Sequence, residues 1–319
     1  MPRHLDQPRG GEIGSGPGVV MRSTHFMTCL LGAALGAAAA PGQPQARQGA
    51  PKPWLEATKV ADGVWRIDDH GSDNMYLVAG KSGALLIDTG LGVANLAAFV
   101  KALTPLPVTV VNTHGHPDHA GGDGQFPTVY APPADFDAIR ALGTKEARSR
   151  LLERTRQSAP AAPDLLPAEE AARLPAAELV AVENGHLFDL GGRRLEVIAQ
   201  PGHTAGEIVL LDAAHRLLFT GDNDNTLVWL FLPTCRPLDV YLESLRTLKR
   251  RDGEFDTILP GHGTPLPKSF LAEQIACVES ILDGSCKDEP YQSFAGSARV
   301  CRKGSAAVAF DPANLRAKK

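Results

Sequence analysis

The chain has 319 residues, 32 Lys+Arg against 36 Asp+Glu for a formal net charge of −4, and 43% hydrophobic residues. That composition excludes a disordered chain and one that is membrane-embedded throughout. Mild acidity offers no basic face for a phosphate backbone, and aromatics at 6% are too sparse for stacking single strands, so no nucleic-acid partner is expected.

The first fifty residues do not read as domain. Residues 1–18 are rich in Gly and Pro, without apolar periodicity; Met21-Arg22 then leads into the apolar, alanine-ending run Phe26 to Ala40. A basic residue, an apolar stretch and a row of alanines make the layout of a secretory signal. The run is too short for a comfortable membrane span, which needs about 20 residues. The expected organisation is therefore a leader over 1–50, holding a signal peptide at about 21–46 and a linker, then one catalytic domain over 51–319 with a tail from about 268. The expected location is the periplasm or the outside, with no stable membrane span after signal cleavage. Beyond the leader remain Cys235, Cys277, Cys286 and Cys301. An even count in an exported chain permits disulfides; a bridge within the tail and buried free thiols both stand as readings. No CxxC occurs among them, which argues against a thiolate zinc knuckle.

From Trp54 the pattern becomes strand-like. Val64 to Ile67 alternates, Asp68 to Asn74 is a polar turn, Met75 to Ala79 is apolar, and Ala84 to Ile87 is a continuous apolar run ending in Asp88-Thr89-Gly90. Asn95 to Leu103 reads as an amphipathic helix, and Val108 to Val111 as a buried strand running into Asn112-Thr113-His114. Strands first, then helix and strand in alternation, suggest sheets covered by helices. Residues 133–180 read as mostly helical, interrupted by prolines, either as a lid or as a covering layer. Leu238 to Arg250 reads as a helix, and the tail as a helix to about Leu282 followed by an irregular stretch to Phe310.

The chemistry concentrates at strand ends. His114-Gly115-His116-Pro117-Asp118-His119 places four ligand-type side chains within six residues. Imidazoles with one or two carboxylates suit zinc, and also iron or manganese. Three further strand ends open into Gly-containing turns, each with one such residue: Pro201-Gly202-His203, Phe219-Thr220-Gly221-Asp222 and Leu259-Pro260-Gly261-His262. Strand ends at one sheet edge are where sites are usually built.

These motifs, in this order, resemble the metallo-β-lactamase superfamily over residues 54–270, and the Asp88-Thr89-Gly90 turn matches it too. The resemblance implies an αβ/βα sandwich of two mixed sheets flanked by helices. It implies two metal ions, zinc by preference: one on His114, His116 and His203, the other on Asp118, His119 and His262, with Asp222 bridging. It implies a hydrolase in which a hydroxide shared by the metals attacks an ester, thioester, lactone or amide carbonyl of a small molecule, Asp118 orienting the water and shuttling its proton. The aspartate at position 222 favours the glyoxalase II-like branch over the β-lactamases. Cys235 is read as structural. Alternatives are a β-lactam hydrolase, a mononuclear iron sulfur dioxygenase and a metal-stabilised binding protein. For substrate contacts the candidates are His70 and Asn74, in the polar loop between two early strands, and Trp229, in the apolar run Thr226 to Leu232.

Overall fold

Apolar side chains on both faces of successive strands force this chain into stacked layers, since each face must find a partner. The computed structural model describes residues 52–318, and the expected signal peptide lies outside them. The first sheet takes seven strands in chain order: β1 (Leu55–Ala61), β2 (Val64–Asp69), β3 (Asn74–Ala79), β4 (Ala84–Ile87), β5 (Val108–Val111), β6 (Thr128–Ala131) and β7 (Glu178–Ala181). β1 to β4 pair antiparallel and β4 to β7 parallel. Parallel pairs need crossovers, supplied by α1 (Leu96–Leu103), by the short α2 (Pro117–Ala120), and, between β6 and β7, by α3 (Phe136–Leu142), α4 (Lys145–Ser158) and α5 (Ala168–Arg173). Asn95 caps α1 by accepting the Ala98 amide at 3.0 Å.

The second sheet begins with β8 (Leu187–Asp189), β9 (Arg194–Ala199), β10 (Ile208–Asp212) and β11 (Leu217–Phe219), an antiparallel meander. The chain then leaves through β12 (Leu227–Leu230) and α6 (Leu238–Lys249). It returns as β13 (Thr257–Leu259), parallel to β11, and ends this sheet with β14 (Leu266–Pro267) before α7 (Phe270–Leu282).

Alternation along single strands sets the layers. In β4, Leu85 and Ile87 join Val111, Val197, Leu210 and Phe219 between the two sheets, whereas Ala84 and Leu86 pack with Leu96 and Val100 of α1. In β10, Ile208 and Leu210 face the first sheet, and Val209 and Leu211 face Leu245 of α6 and Val278 of α7. The order helix, sheet, sheet, helix is the expected sandwich. The stretch 133–180 carries α3, α4 and α5, and Leu152 of α4 and Ala171 of α5 join the core outside the first sheet. Among the described residues no helix is long and apolar enough to cross a membrane.

The tail differs from expectation. In place of an irregular stretch it forms β15 (Glu289–Ser293), β16 (Gly296–Lys303) and β17 (Ala306–Phe310), and β17 pairs parallel with β12, giving a third, four-stranded sheet in the order β12-β17-β16-β15. β15 and β16 are mixed in polarity and give no clean period. Their conformation comes from pairing outward from β17, which is buried along its whole length. Val228, Leu230, Cys301, Val308 and Phe310 of this sheet share one core with Phe270, Val278 and Ile281 of α7.

Both readings of the cysteines hold, on different residues: Cys286 and Cys301 are bridged, and Cys235 and Cys277 are free and buried. The bridge spans 15 residues of sequence. Cys286→Ser with Cys301→Ser should lower the unfolding free energy by about 3 kcal/mol in urea titrations; an unchanged midpoint would show that the bridge does not form in solution.

Candidate metal centre

The site forms because strands of two sheets end at one edge. Asp88 follows β4 and His114 follows the parallel β5, so both lie past carboxyl ends in the first sheet. In the second sheet β9, β11 and β13 run in one direction, and His203, Asp222 and His262 lie just past their ends. Hydrogen bonds join the edges: the Ile208 amide donates to the Thr113 carbonyl at 3.0 Å, and the Tyr76 hydroxyl donates to the Pro260 carbonyl at 2.8 Å.

The structure brings all seven ligand-type residues together. His114, His116 and His203 form one group with donor atoms within 4.8 Å of one another; Asp118, His119 and His262 form another; His114, His119 and Asp222 link the two. His203 Nδ1 lies 2.7 Å from the Trp229 carbonyl, which can only accept, so Nδ1 carries the proton and Nε2 presents a lone pair. That lone pair faces His116 Nδ1 at 2.8 Å, while His116 Nε2 is held by Thr234 Oγ1 at 3.1 Å. Two ring nitrogens facing each other need a cation or a proton between them. His119 Nδ1 is likewise occupied, 2.9 Å from the Asp88 carboxylate, which leaves Nε2 for the site. The inward-facing Nε2 atoms of His114 and His119 are buried without hydrogen-bond partners. A cluster of bare imidazole nitrogens beside carboxylates fits a divalent cation.

Electrostatics agree with that fit. Burial holds the His114 pKa well below the ordinary value, reinforced by repulsion from His119 and His116. Burial and the neighbouring His203 bring His116 down to about 4. At His119, burial opposes charge, but the carboxylates of Asp222, Asp88 and Asp118 outweigh it and raise the pKa well above normal. Asp222 resists burial through His262 and His119 and stays well below the usual carboxylate range. The site thus keeps neutral imidazoles on one side and an ionised carboxylate at its centre.

Close packing leaves no room for error. A Cβ on Gly261 would stand 2.6 Å from Asp222 Oδ1 and 2.8 Å from His119 Cε1, so only glycine fits beside them. Asp88 adopts a left-handed φ of 65°, a conformation Asp tolerates better than most residues, and this aims its carboxylate at both the Thr113 amide, at 2.7 Å, and His119.

Several supports carried no role in the sequence reading. Buried Asp135 accepts from the Gly115 amide at 3.0 Å, the Thr204 hydroxyl at 2.7 Å and the Gly206 amide at 3.0 Å, tying the His114 loop to the His203 loop. Glu207 accepts the Asp222 amide at 3.1 Å and lies 3.5 Å from His114 Nδ1. Asn223 accepts the His203 amide, and Asn225 accepts the His262 amide and donates to Asp222. Glu207 had a signal, an acid opening the apolar run Ile208 to Leu211; Asp135, in a Pro-rich turn, had none.

Each of the three substrate candidates is engaged with other parts of the chain. His70 stacks on Trp54, with ring centroids 4.4 Å apart. The Asn74 amide donates to the Pro260 and Gly263 carbonyls, both at 3.0 Å, so it holds the His262 turn. Trp229 touches His203 through its carbonyl. Cys235 is buried, which pushes its thiol up to about 12, and it hydrogen-bonds the same carbonyl at 3.3 Å. Asp135→Ala should leave a folded protein whose zinc affinity, measured by competition with a chromophoric chelator, is weaker by about 10- to 100-fold; unchanged affinity would remove its supporting role.

The Metallo-beta-lactamase superfamily profile matches residues 68–262. Acyl-coenzyme A thioesterase MBLAC2 of Gallus gallus is 30% identical over 232 residues, which cover 66% of this chain and 80% of that protein. Hydroxyacylglutathione hydrolase of Mesorhizobium japonicum is 30% identical over 202 residues, 63% of this chain and 66% of that one. Among solved structures, the DIM-1 metallo-beta-lactamase aligns with a TM-score of 0.51 at 19% identity, over 72% of this chain and 99% of that chain, a likeness of fold alone. The profile spans the strand-end motifs from the first sheet to His262, and on that match the chain belongs to the metallo-β-lactamase superfamily.

Proposed function

We propose that this superfamily hydrolase is a dinuclear metal enzyme that cleaves acyl thioesters. The observation that carries the reading is the Asp222 carboxylate, whose oxygens face two donor sets: Oδ2 lies 3.4 Å from His203 Nε2, and Oδ1 lies 3.3 Å from His119 Nε2 and 3.2 Å from His262 Nε2. His114, His116 and His203 would hold one cation, Asp118, His119 and His262 the second, and Asp222 both. Zinc suits this set, and iron or manganese are alternatives. When bound, the cations supply Lewis acidity that lowers the pKa of water and polarises a carbonyl.

The chain's own groups do the remaining work. Asp118 is partly exposed, with Oδ2 3.6 Å from His262 Nε2, and accepts the proton that an attacking water gives up. Asp88, Thr234 and the Trp229 carbonyl fix which nitrogen His119, His116 and His203 present. The preference for a thioester among carbonyl substrates is supported by the acyl-coenzyme A thioesterase among the similar proteins.

Export to an oxidising compartment is part of the proposal, supported by the leader layout and the Cys286–Cys301 bridge. On expression in a bacterial host with an outer membrane, the mature protein should appear in the periplasmic or culture fraction with its N-terminus between residues 38 and 47; an unprocessed cytoplasmic product would overturn this part. For the chemistry, zinc-loaded protein should hydrolyse acyl thioesters, lose turnover on chelation and regain it with zinc. Asp118→Ala should keep its circular dichroism spectrum and lose at least about 100-fold in kcat/KM. One iron per chain, with no hydrolysis of thioesters, lactones or β-lactams, would sink the reading.

A further inference from the structure

We propose that the third sheet builds the acyl-chain site: Trp229, Phe231, Tyr291 and Phe294 form an aromatic wall that takes a straight apolar acyl chain. The proposal rests on the thioester reading above and deepens it by naming the acyl class.

β12 is the edge strand of that sheet, and its open side meets the metal centre. The Trp229 carbonyl is bound to His203 Nδ1 at 2.7 Å, and five residues on Thr234 holds His116 at 3.1 Å. One strand and its exit turn therefore touch two histidines of the same donor group. Along β12, Val228 and Leu230 enter the core with α7, so Trp229 and Phe231 lie on the opposite face, their ring centroids 5.3 Å apart. The β15–β16 hairpin brings two more rings to that face: Phe294 at 5.4 Å and Tyr291 at 6.3 Å from the Trp229 ring, with Phe231 and Tyr291 6.0 Å apart.

The polar atoms of this cluster are spent on each other. Trp229 Nε1 donates to the Tyr291 hydroxyl at 2.9 Å, leaving apolar ring faces as the surface. Phe294, at the hairpin tip, is 97% exposed; Leu187 is the one other large hydrophobic side chain left exposed among the described residues. An aromatic so exposed, beside three half-buried rings, is an apolar patch that lacks cover. Its continuity with the histidine cluster selects the occupant: a substrate whose carbonyl lies among those residues has its acyl chain within reach of the wall. The hairpin lies beyond residues 68–262, where the ligand motifs fall.

The test is a ladder of acetyl, octanoyl and palmitoyl thioesters of N-acetylcysteamine, with calorimetric titration of fatty acids of the same lengths. For the wild type, kcat/KM and fatty-acid affinity should both rise with chain length. Phe294→Ala, a surface change that spares the core, should lower the palmitoyl value by about tenfold and leave the acetyl value within about twofold, with Phe294→Leu recovering most of the loss. Equal loss at every length, or no loss, overturns the wall. So does an unchanged ladder accompanied by a smaller mass in light scattering or by release from phosphatidylcholine vesicles, which would give the patch to a second copy or to a membrane. If no thioester is cleaved but fatty-acid affinity still climbs with length and falls in Phe294→Ala, the thioesterase reading fails and the wall stands; if affinity is flat as well, both fail.

Discussion

Everything in this protein is arranged around one electrostatic difficulty: five imidazoles and two carboxylates must share a small, largely dry space with their lone pairs turned inward. Unpaired buried polar atoms are costly, and here several converge, with His203 Nε2 and His116 Nδ1 only 2.8 Å apart. A divalent cation would resolve this, and without one the fold must bear the cost. It does so by tethering the outward edge of the rings. Asp88 grips His119, Thr234 grips His116, and the Trp229 carbonyl grips His203. Each tether settles which nitrogen points into the site, so orientation does not depend on the ion.

Those tethers come from the first sheet and the third, while His203, Asp222 and His262 follow strands of the second, which explains the architecture. Two stacked sheets give strand ends pointing the same way at one edge, and the apolar layer between them holds the edges in register. Asp135 and Glu207 sit where loops from the two sheets meet: Asp135 is committed on both oxygens, whereas Glu207 accepts the Asp222 amide on one oxygen and leaves the other buried without a hydrogen-bond partner, 3.5 Å from His114 Nδ1. Burial of Asp135 is tolerable because it accepts backbone and hydroxyl donors, whereas burial pushes the Glu207 pKa well above its ordinary value.

The third sheet has a different logic. Its inner face completes the core against α7, and its edge strand supplies the His203 tether, so the sheet is structural and local to the site at once. Tyr291 and Phe294 are brought to Trp229 by a hairpin more than fifty positions along the chain, with Cys286–Cys301 anchoring the base of that hairpin.

Much of this was legible in the linear chain. The ligand-type residues were readable because each follows a short apolar strand and sits in a Gly-containing turn, and because zinc chemistry restricts the residue types that can serve. Sheets under helices were readable because β4 is apolar at every position, which demands cover on both faces, and the sandwich itself followed from the family resemblance. Asp135 was not readable, since an acid in the turn Pro132-Pro133-Ala134-Asp135 looks solvated until loops from two sheets close over it. Asn74 was a substrate-contact candidate by its loop, and that its amide donates to the Pro260 and Gly263 carbonyls was not readable. β15 and β16 were missed because their side chains are mixed and their order comes from pairing with β17. Local pattern and donor chemistry are properties of neighbours in sequence, and these determined the strands, the turns and the ligand set. Which partners fill the remaining hydrogen bonds, and which rings meet beside the site, depends on residues tens to over a hundred positions apart, and only the tertiary structure decided them.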